Sequence, residues 1–436
     1  MQLETVKSFI LWVLVGASLL LTFTLWSYRP EMEQSENFVE DRTDLGGTEE
    51  TQNTLIEPTS IIFQSSSQYF GFTDPGERQS LYEDMQNWSL YDFRTTKGNG
   101  PPSEDNQVEI IFPDAIPMEM AANLFTFNED VQMPSWGFER IFMTFNQDSN
   151  TMNVIFLSED GGKQATAVVN NSEKYALLWE YLTTFEGLTD YLRVKGAPER
   201  IYIPNQPKNI GTKSIAVQTI DSQTMVDTLF SDPDIVSRNR IRENEIYFTD
   251  NARGIMQVYP HRRTAEFQNP LQSSNETQLK PSVLVEQSRL NINDHRGWTN
   301  DYRLSDIAIN AATNKIRYQM YYEGYPVFGS NYSSIIEQQY RESELIQYNR
   351  PLFKLANYLG GDDSSDLMSG KSVIERLENS DTYNMDNVYD IQNGYDLTYR
   401  SEADAVTLEP AWFVDYNGTW QKMKFNHGHP QQEGGS

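Results

Sequence analysis

The chain has 436 residues, 62 acidic against 34 basic side chains, a formal net charge of −28 and no cysteine. That length predicts several compact units, and the charge excludes nucleic-acid binding driven by counterion release. The lack of cysteine excludes a disulfide framework, thiolate metal sites and a cysteine nucleophile.

In chain order, the first signal is SFILWVLVGASLLLTFTLWS at Ser8–Ser27, twenty residues without a charge. A helix of that length spans about 30 Å, the thickness of bilayer hydrocarbon. Trp12, Trp26 and Tyr28 stand near its ends, where amphipathic rings prefer the interface. WSYRPEME offers no small-residue cleavage site, so 8–28 reads as a retained anchor rather than a removed signal peptide. Residues 1–7 form a short tail carrying Lys7, and acidic sequence follows the span. The reading is a single-pass protein of the cell membrane, N-terminus cytoplasmic and the bulk extracytoplasmic. Within the span, Ser18 and Thr22 lie four apart, with Leu11, Val15, Leu19 and Leu25 beside them. That stripe is a candidate face for packing against a partner's helix, unless Ser18 and Thr22 simply bond their own backbone carbonyls.

Residues 29–58, polar and acidic, read as a linker. From 59 to 198 an α+β domain is expected. Strand-like runs are VEIIF (108–112), RIFMTF (140–145), MNVIFL (152–157) and ATAVV (165–169), the last three forming a meander. Helix-like runs are 78–93, 117–125 and 172–185, with Asn171 or Ser172 as a cap for the last. The remainder repeats a short helix followed by an antiparallel meander, with helices at 222–230, 282–292 and 371–379. It divides into a central domain at 199–278 and a C-terminal domain at 279–436. Tyr322-Glu323-Gly324 and Asn417-Gly418 are read as hairpin turns. The fold class is therefore α+β: one transmembrane helix, then short helices packed on antiparallel meander sheets.

Motifs for catalysis are missing: no GxSxG, HExxH, P-loop, SxxK or strand-following GxGxxG occurs. His427-Gly-His429 lacks further metal ligands nearby, and His295 is expected at a helix C-terminus, where positive charge suits the dipole. His261-Arg262-Arg263 reads as a basic turn between strands. Gly360–Asp366 and Asp386–Asp396 read as hydrophilic loops without calcium-loop spacing. No catalytic, cofactor-binding or metal site is assigned, which leaves a binding or regulatory protein. A receptor for a peptide or cell-wall fragment is the alternative, its cleft lined by Tyr318, Tyr321, Tyr322 and Tyr325 unless these form one face of a packed strand.

KSFILWVLVGASLLLTFTLWSYRPEME, LIEPTSIIFQ (55–64), DHRGWTNDYRL (294–304), IRYQMYYEGYPVFG (316–329) and LEPAWFVDYNGTW (408–420) resemble the YycH family over nearly the full chain. The resemblance implies a three-domain extracytoplasmic body, similar in its later part to the sister protein YycI. It implies action together with YycI on the sensor kinase WalK of the WalK–WalR (YycG–YycF) system, through membrane helices, and hence control of cell-wall metabolism.

Overall fold

Alternation of apolar and polar residues builds two large sheets in a computed structural model. It describes residues 43–242, 244–250, 254–269, 278–310, 313–362 and 367–424. The stripe Leu11, Val15, Ser18, Leu19, Thr22 and Leu25 lies outside the described residues, as do His427 and His429. No described helix is long and apolar enough to cross a membrane.

The N-terminal sheet contains β1 (Ser60–Ser65), β2 (Gln68–Phe72), β3 (Ser89–Lys97), β4 (Asn106–Pro117) and β5 (Thr126–Phe127). It continues with β6 (Gly137–Asn146), β7 (Thr151–Ser158), β8 (Lys163–Val169), β9 (Leu188–Arg193) and β10 (Tyr202–Pro204). The order is β10-β9-β2-β1-β4-β6-β7-β8-β3-β5, antiparallel except for the β3–β5 pair. Preceding it is a one-turn helix α1 (Gln52–Leu55); helices α2 (Pro75–Gln86), α3 (Met118–Leu124) and α4 (Ser172–Thr184) are interspersed with its strands. Ile61 and Phe63 share a core with Leu81, Tyr82, Leu178 and Leu182 of α2 and α4. Ile62, one residue out of phase, packs instead with Ile111 and Tyr202 on the opposite face. The 140–169 meander forms as expected, and Asn171 caps α4 by accepting from the backbone N–H groups of Glu173 and Lys174. The helix expected over 78–93 stops at Gln86, where the Asn87 side chain donates to Glu83 O (2.8 Å). SLYDF then joins β3, because Tyr91 finds Val168 of β8 as its ladder partner. Tertiary pairing outweighs helix propensity there.

The second sheet comprises β11 (Thr212–Thr219), β12 (Ser237–Arg242), β13 (Glu245–Thr249), β14 (Ile255–Tyr259) and β15 (Thr264–Gln268). It adds β16 (Asp301–Asn310), β17 (Thr313–Tyr322), β18 (Tyr325–Gly329), β19 (Ile335–Arg341) and β20 (Glu344–Pro351). The remaining strands are β21 (Phe353–Asp362), β22 (Val388–Arg400), β23 (Ala405–Tyr416) and β24 (Thr419–Lys422). Helices α5 (Ser222–Leu229), α6 (Pro281–Asn293) and α7 (Gly370–Glu378) each precede a meander, as the sequence suggests. Ladders β15–β20 and β18–β22 then stitch the three units into one 14-stranded sheet, so hydrogen bonding runs across the border expected at 278. Both hairpin turns form with left-handed central pairs, Glu323/Gly324 (φ 50°, 77°) and Asn417/Gly418 (φ 55°, 72°). His261–Arg263 do form the turn between β14 and β15. Asp386–Asp396, expected as a loop, is mostly strand: β22 pairs with β23 from Val388 onward. Gly360, Gly361 and Asp362 end β21.

Candidate functional site

Residues 43–58, expected within a linker, are ordered and packed. Their apolar members explain it: Leu45, Leu55 and Ile56 are buried. This strap enters along the loop after α6. The backbone N–H groups of Leu45, Gly47 and Thr48 donate to the carbonyls of His295, Arg296 and Trp298 at 3.0, 3.0 and 3.1 Å. A Cβ on Gly47 would lie 2.4 Å from Trp298 O, so only glycine fits there. The Glu50 carbonyl accepts from Arg289 Nη1 (2.9 Å) and Asn293 Nδ2 (3.0 Å), and Asn293 Oδ1 accepts from Glu50 N. Gln52 then bridges two units, donating to Glu286 of α6 (2.7 Å) and accepting from Asn123 (2.9 Å). Finally Glu57, just before β1, pairs with buried Arg303 of β16, which also holds Asp301 (3.1 Å) and lies 4.3 Å from the Tyr321 ring centre. Burial pushes the Glu57 carboxyl up although Arg303 pulls it down.

The loop that receives the strap is the DHRGW segment, and its polar groups are closely matched. Arg350 of β20 is fully buried and solvated by neutral oxygens: Tyr348 Oη (3.0 Å), Gly297 O (2.8 Å), Thr299 Oγ1 (3.0 Å) and Pro351 O (3.2 Å). Tyr348 Oη accepts from Arg350, and since the neutral His295 ring spends its N–H on the Asn291 backbone, its Nε2 accepts the Tyr348 proton across 3.0 Å. Burial, then the Arg350 charge, lowers the His295 pKa to about 3. The imidazole is neutral at neutral pH. The expected charge–dipole role for His295 is thereby corrected: burial beside a cation overrides the favourable end of α6.

The open face of the N-terminal sheet meets the end of the second sheet in a seam of different character. Its apolar part combines Val194, Ile201 and Ile203 with Val373, Leu377, Ile391 and Trp412. Around it, Glu109 holds Arg140 (2.7 Å) and accepts from the Tyr202 hydroxyl (2.9 Å). Several other carboxyls there are poorly compensated. Glu139 is raised to about 7 by burial, with Arg140 opposing and Glu199, Asp390 and Glu159 reinforcing. Asp415 rises to about 6 through burial and the charges of Asp390 and Asp306. Asp114 also rises to about 6, chiefly by burial, although it accepts the Ile307 N–H across the sheets (2.5 Å).

Among the described residues no group of three His, Cys, Asp or Glu side chains could hold a metal ion. The tyrosines considered as a cleft divide. Tyr318 is fully buried, donating to Ser288 Oγ (3.1 Å), and Tyr322 packs edge-on against Tyr395. Tyr321 and Tyr325 line a cavity between the sheets. Sequence reasoning missed Arg350, Arg303 and the strap; the one available signal was apolar Leu45, Leu55 and Ile56 inside an acidic stretch.

Comparison with known proteins places these features in context. The family model described as YycH protein, N-terminal domain, matches residues 4–186, and that for the YycH protein, C-terminal domain, matches residues 198–429. The two-component system WalR/WalK regulatory protein YycH of Bacillus subtilis (strain 168) is 22% identical over 444 aligned positions, covering 96% of each chain. The crystal structure of YycH from Bacillus subtilis matches with a TM-score of 0.69 at 19% identity, covering 87% of this chain and 98% of that one. That likeness concerns the fold.

Proposed function

Because the chain belongs to the YycH family, we propose that it is a membrane-anchored, non-enzymatic regulator of the sensor kinase WalK, acting with YycI on cell-wall metabolism. The observation that carries this reading is the end-to-end match to a relative named as a WalR/WalK regulatory protein. Physical plausibility comes from the two ends of the strap. The apolar segment 8–28 has the length of a membrane span, with the body extracytoplasmic. From residue 43 the strap is fixed to the loop after α6, to Glu286 and Arg303 of the second unit and, through Gln52, to Asn123 of the N-terminal one.

A kinase signal crosses a bilayer by small helix shifts, and a neighbouring helix biases them only by packing better against one state. A differential of about 1–3 kcal/mol changes the ratio of active to inactive kinase by about 5–150-fold. Leu11, Val15, Ser18, Leu19, Thr22 and Leu25 are the face assigned to that contact. The test is membrane co-capture of WalK by residues 1–30 fused to an inert extracytoplasmic domain, beside the full chain. Retention by the fusion, lost on joint Ser18→Leu and Thr22→Leu replacement, supports the transmembrane contact. Retention by the full chain alone moves recognition to the body, and retention by neither sinks the kinase reading.

A further inference from the structure

The cavity between the sheets has a polar lining that the regulator reading does not use. It is about 90 Å³, room for about three waters, and is lined by Arg78, Tyr191, Tyr321, Tyr325, Phe72 and Lys208. Thr73 and Lys208 at its rim are exposed, so the cavity opens to solvent. Arg78, in the first turn of α2, spends two N–H groups on backbone carbonyls, Thr59 O (2.6 Å) and Gly324 O (3.3 Å). No carboxylate among the described residues lies within ion-pairing distance of it. Its nearest charged neighbours, Glu57 and Arg303, are paired with each other, and their opposite charges offset. A guanidinium has five donors in a plane, so Arg78 keeps unused ones. The hydroxyls of Tyr191, Tyr321 and Tyr325 likewise have no hydrogen-bond partner among the described residues, and all three feel the Arg78 charge. The remaining ionic groups of the lining are already engaged. Lys208 pairs with Asp74 (2.9 Å), and Asp390 accepts from Gln392 Nε2 (2.6 Å) and Ile391 N (2.8 Å).

One planar cation, three free phenol donors and room for a few heavy atoms make an oxyanion receptor. We propose that this cavity binds a small oxyanion, either the terminal carboxylate of a short peptide or a phosphate group, with Arg78 and the three tyrosine hydroxyls as its ligands. The remainder of a larger ligand leaves past Thr73 and Lys208. The occupied cavity ties Arg78 and Tyr191 of the N-terminal sheet unit to Tyr321 and Tyr325 of the second, giving the body a ligand-dependent stiffness. This inference stands independently of the kinase reading.

The test is calorimetric titration of the detergent-solubilised full chain with three probes: alanyl-alanine, its C-terminal amide and inorganic phosphate. Binding of the dipeptide but not its amide, weakened about tenfold or more by Arg78→Gln, identifies a peptide carboxylate. Phosphate binding with the same sensitivity identifies free phosphate. If neither probe binds, or Arg78→Gln binds as well as the parent, the proposal is overturned. Should Arg78→Gln fail to fold, Tyr191→Phe and Tyr325→Phe each remove one hydroxyl and keep the ring. Each is expected to weaken binding about threefold, and unchanged affinity in both overturns the assignment.

Discussion

The clamp around His295 and the seam around Glu139 are both buried and polar, yet they are built on opposite terms. At the clamp, fully buried Arg350 finds neutral oxygens for its guanidinium, and the neutral His295 ring completes the chain of donors and acceptors. In the seam, Glu139, Asp390, Asp415 and Asp114 are desolvated beyond what their partners compensate, and each is pushed toward its neutral form. A satisfied network specifies one geometry; a partly satisfied one leaves free energy that protonation can release. The clamp therefore fixes where the strap enters, while the seam is the place where the two sheets are easiest to adjust.

The sharpest way to break this contrast is Arg350→Met. It strands Gly297 O, Thr299 Oγ1 and the Tyr348 hydroxyl, and should cost about 4 kcal/mol or more in chemical denaturation. A cost near zero would mean the clamp is not matched at all. Leu55→Ala, in the fully buried part of the strap, should cost about 3 kcal/mol and expose the amides of 43–58 to hydrogen exchange. The seam should respond with the opposite sign. Glu139→Gln removes a carboxylate whose ionisation the fold opposes, and should stabilise by about 1–2 kcal/mol at pH 8 with little effect near pH 5.

The pH dependence separates the two zones further. Carboxyls with folded pKa values of about 6–7 hold protons that the unfolded chain has released, so their contribution falls as pH rises and recovers on acidification through that range. His295 works the other way. The unfolded imidazole takes a proton near its usual value of about 6.5, while the folded one resists to about 3, so its contribution is lost as pH falls below neutrality. Melting temperature measured from pH 8 to pH 5 should therefore rise more steeply on acidification in His295→Gln and less in Glu139→Gln. Parallel profiles for both variants and the parent would remove the distinction. Smallest of all, Asn171→Ala, far from both zones, should cost about 1 kcal/mol through the lost α4 cap.

Much of the fold was legible because its signals are local. The α4 cap at Asn171, the Asn417-Gly418 turn and the alternation of MNVIFL need only neighbours in sequence. β19 and β20 leave no clear signal because IIEQQYRESELIQYNR alternates too weakly; Gln338, Asn349 and Arg350 are buried by partners outside their own strands. The helix expected through Phe93 failed for the same reason, since β8 decides where α2 stops. DHRGW carries no local sign of the clamp, because Arg350 lies 53 residues past Gly297. Tyr321 and Tyr325 read as a cleft in the sequence, but Arg78, which lines the same cavity, belongs to the other sheet's unit and gives no pattern of its own.

The most direct test of coupling between anchor and body is Gly47→Val, which drives a side chain into Trp298 O and unseats the strap while leaving 8–28 intact. In vesicles containing WalK, kinase autophosphorylation would be followed with the parent and the variant, alongside hydrogen exchange of residues 43–50. Loss of protection in the strap together with a return of kinase output to its level without this protein is the expected result. Unseating of the strap with kinase output unchanged from the parent would contradict it.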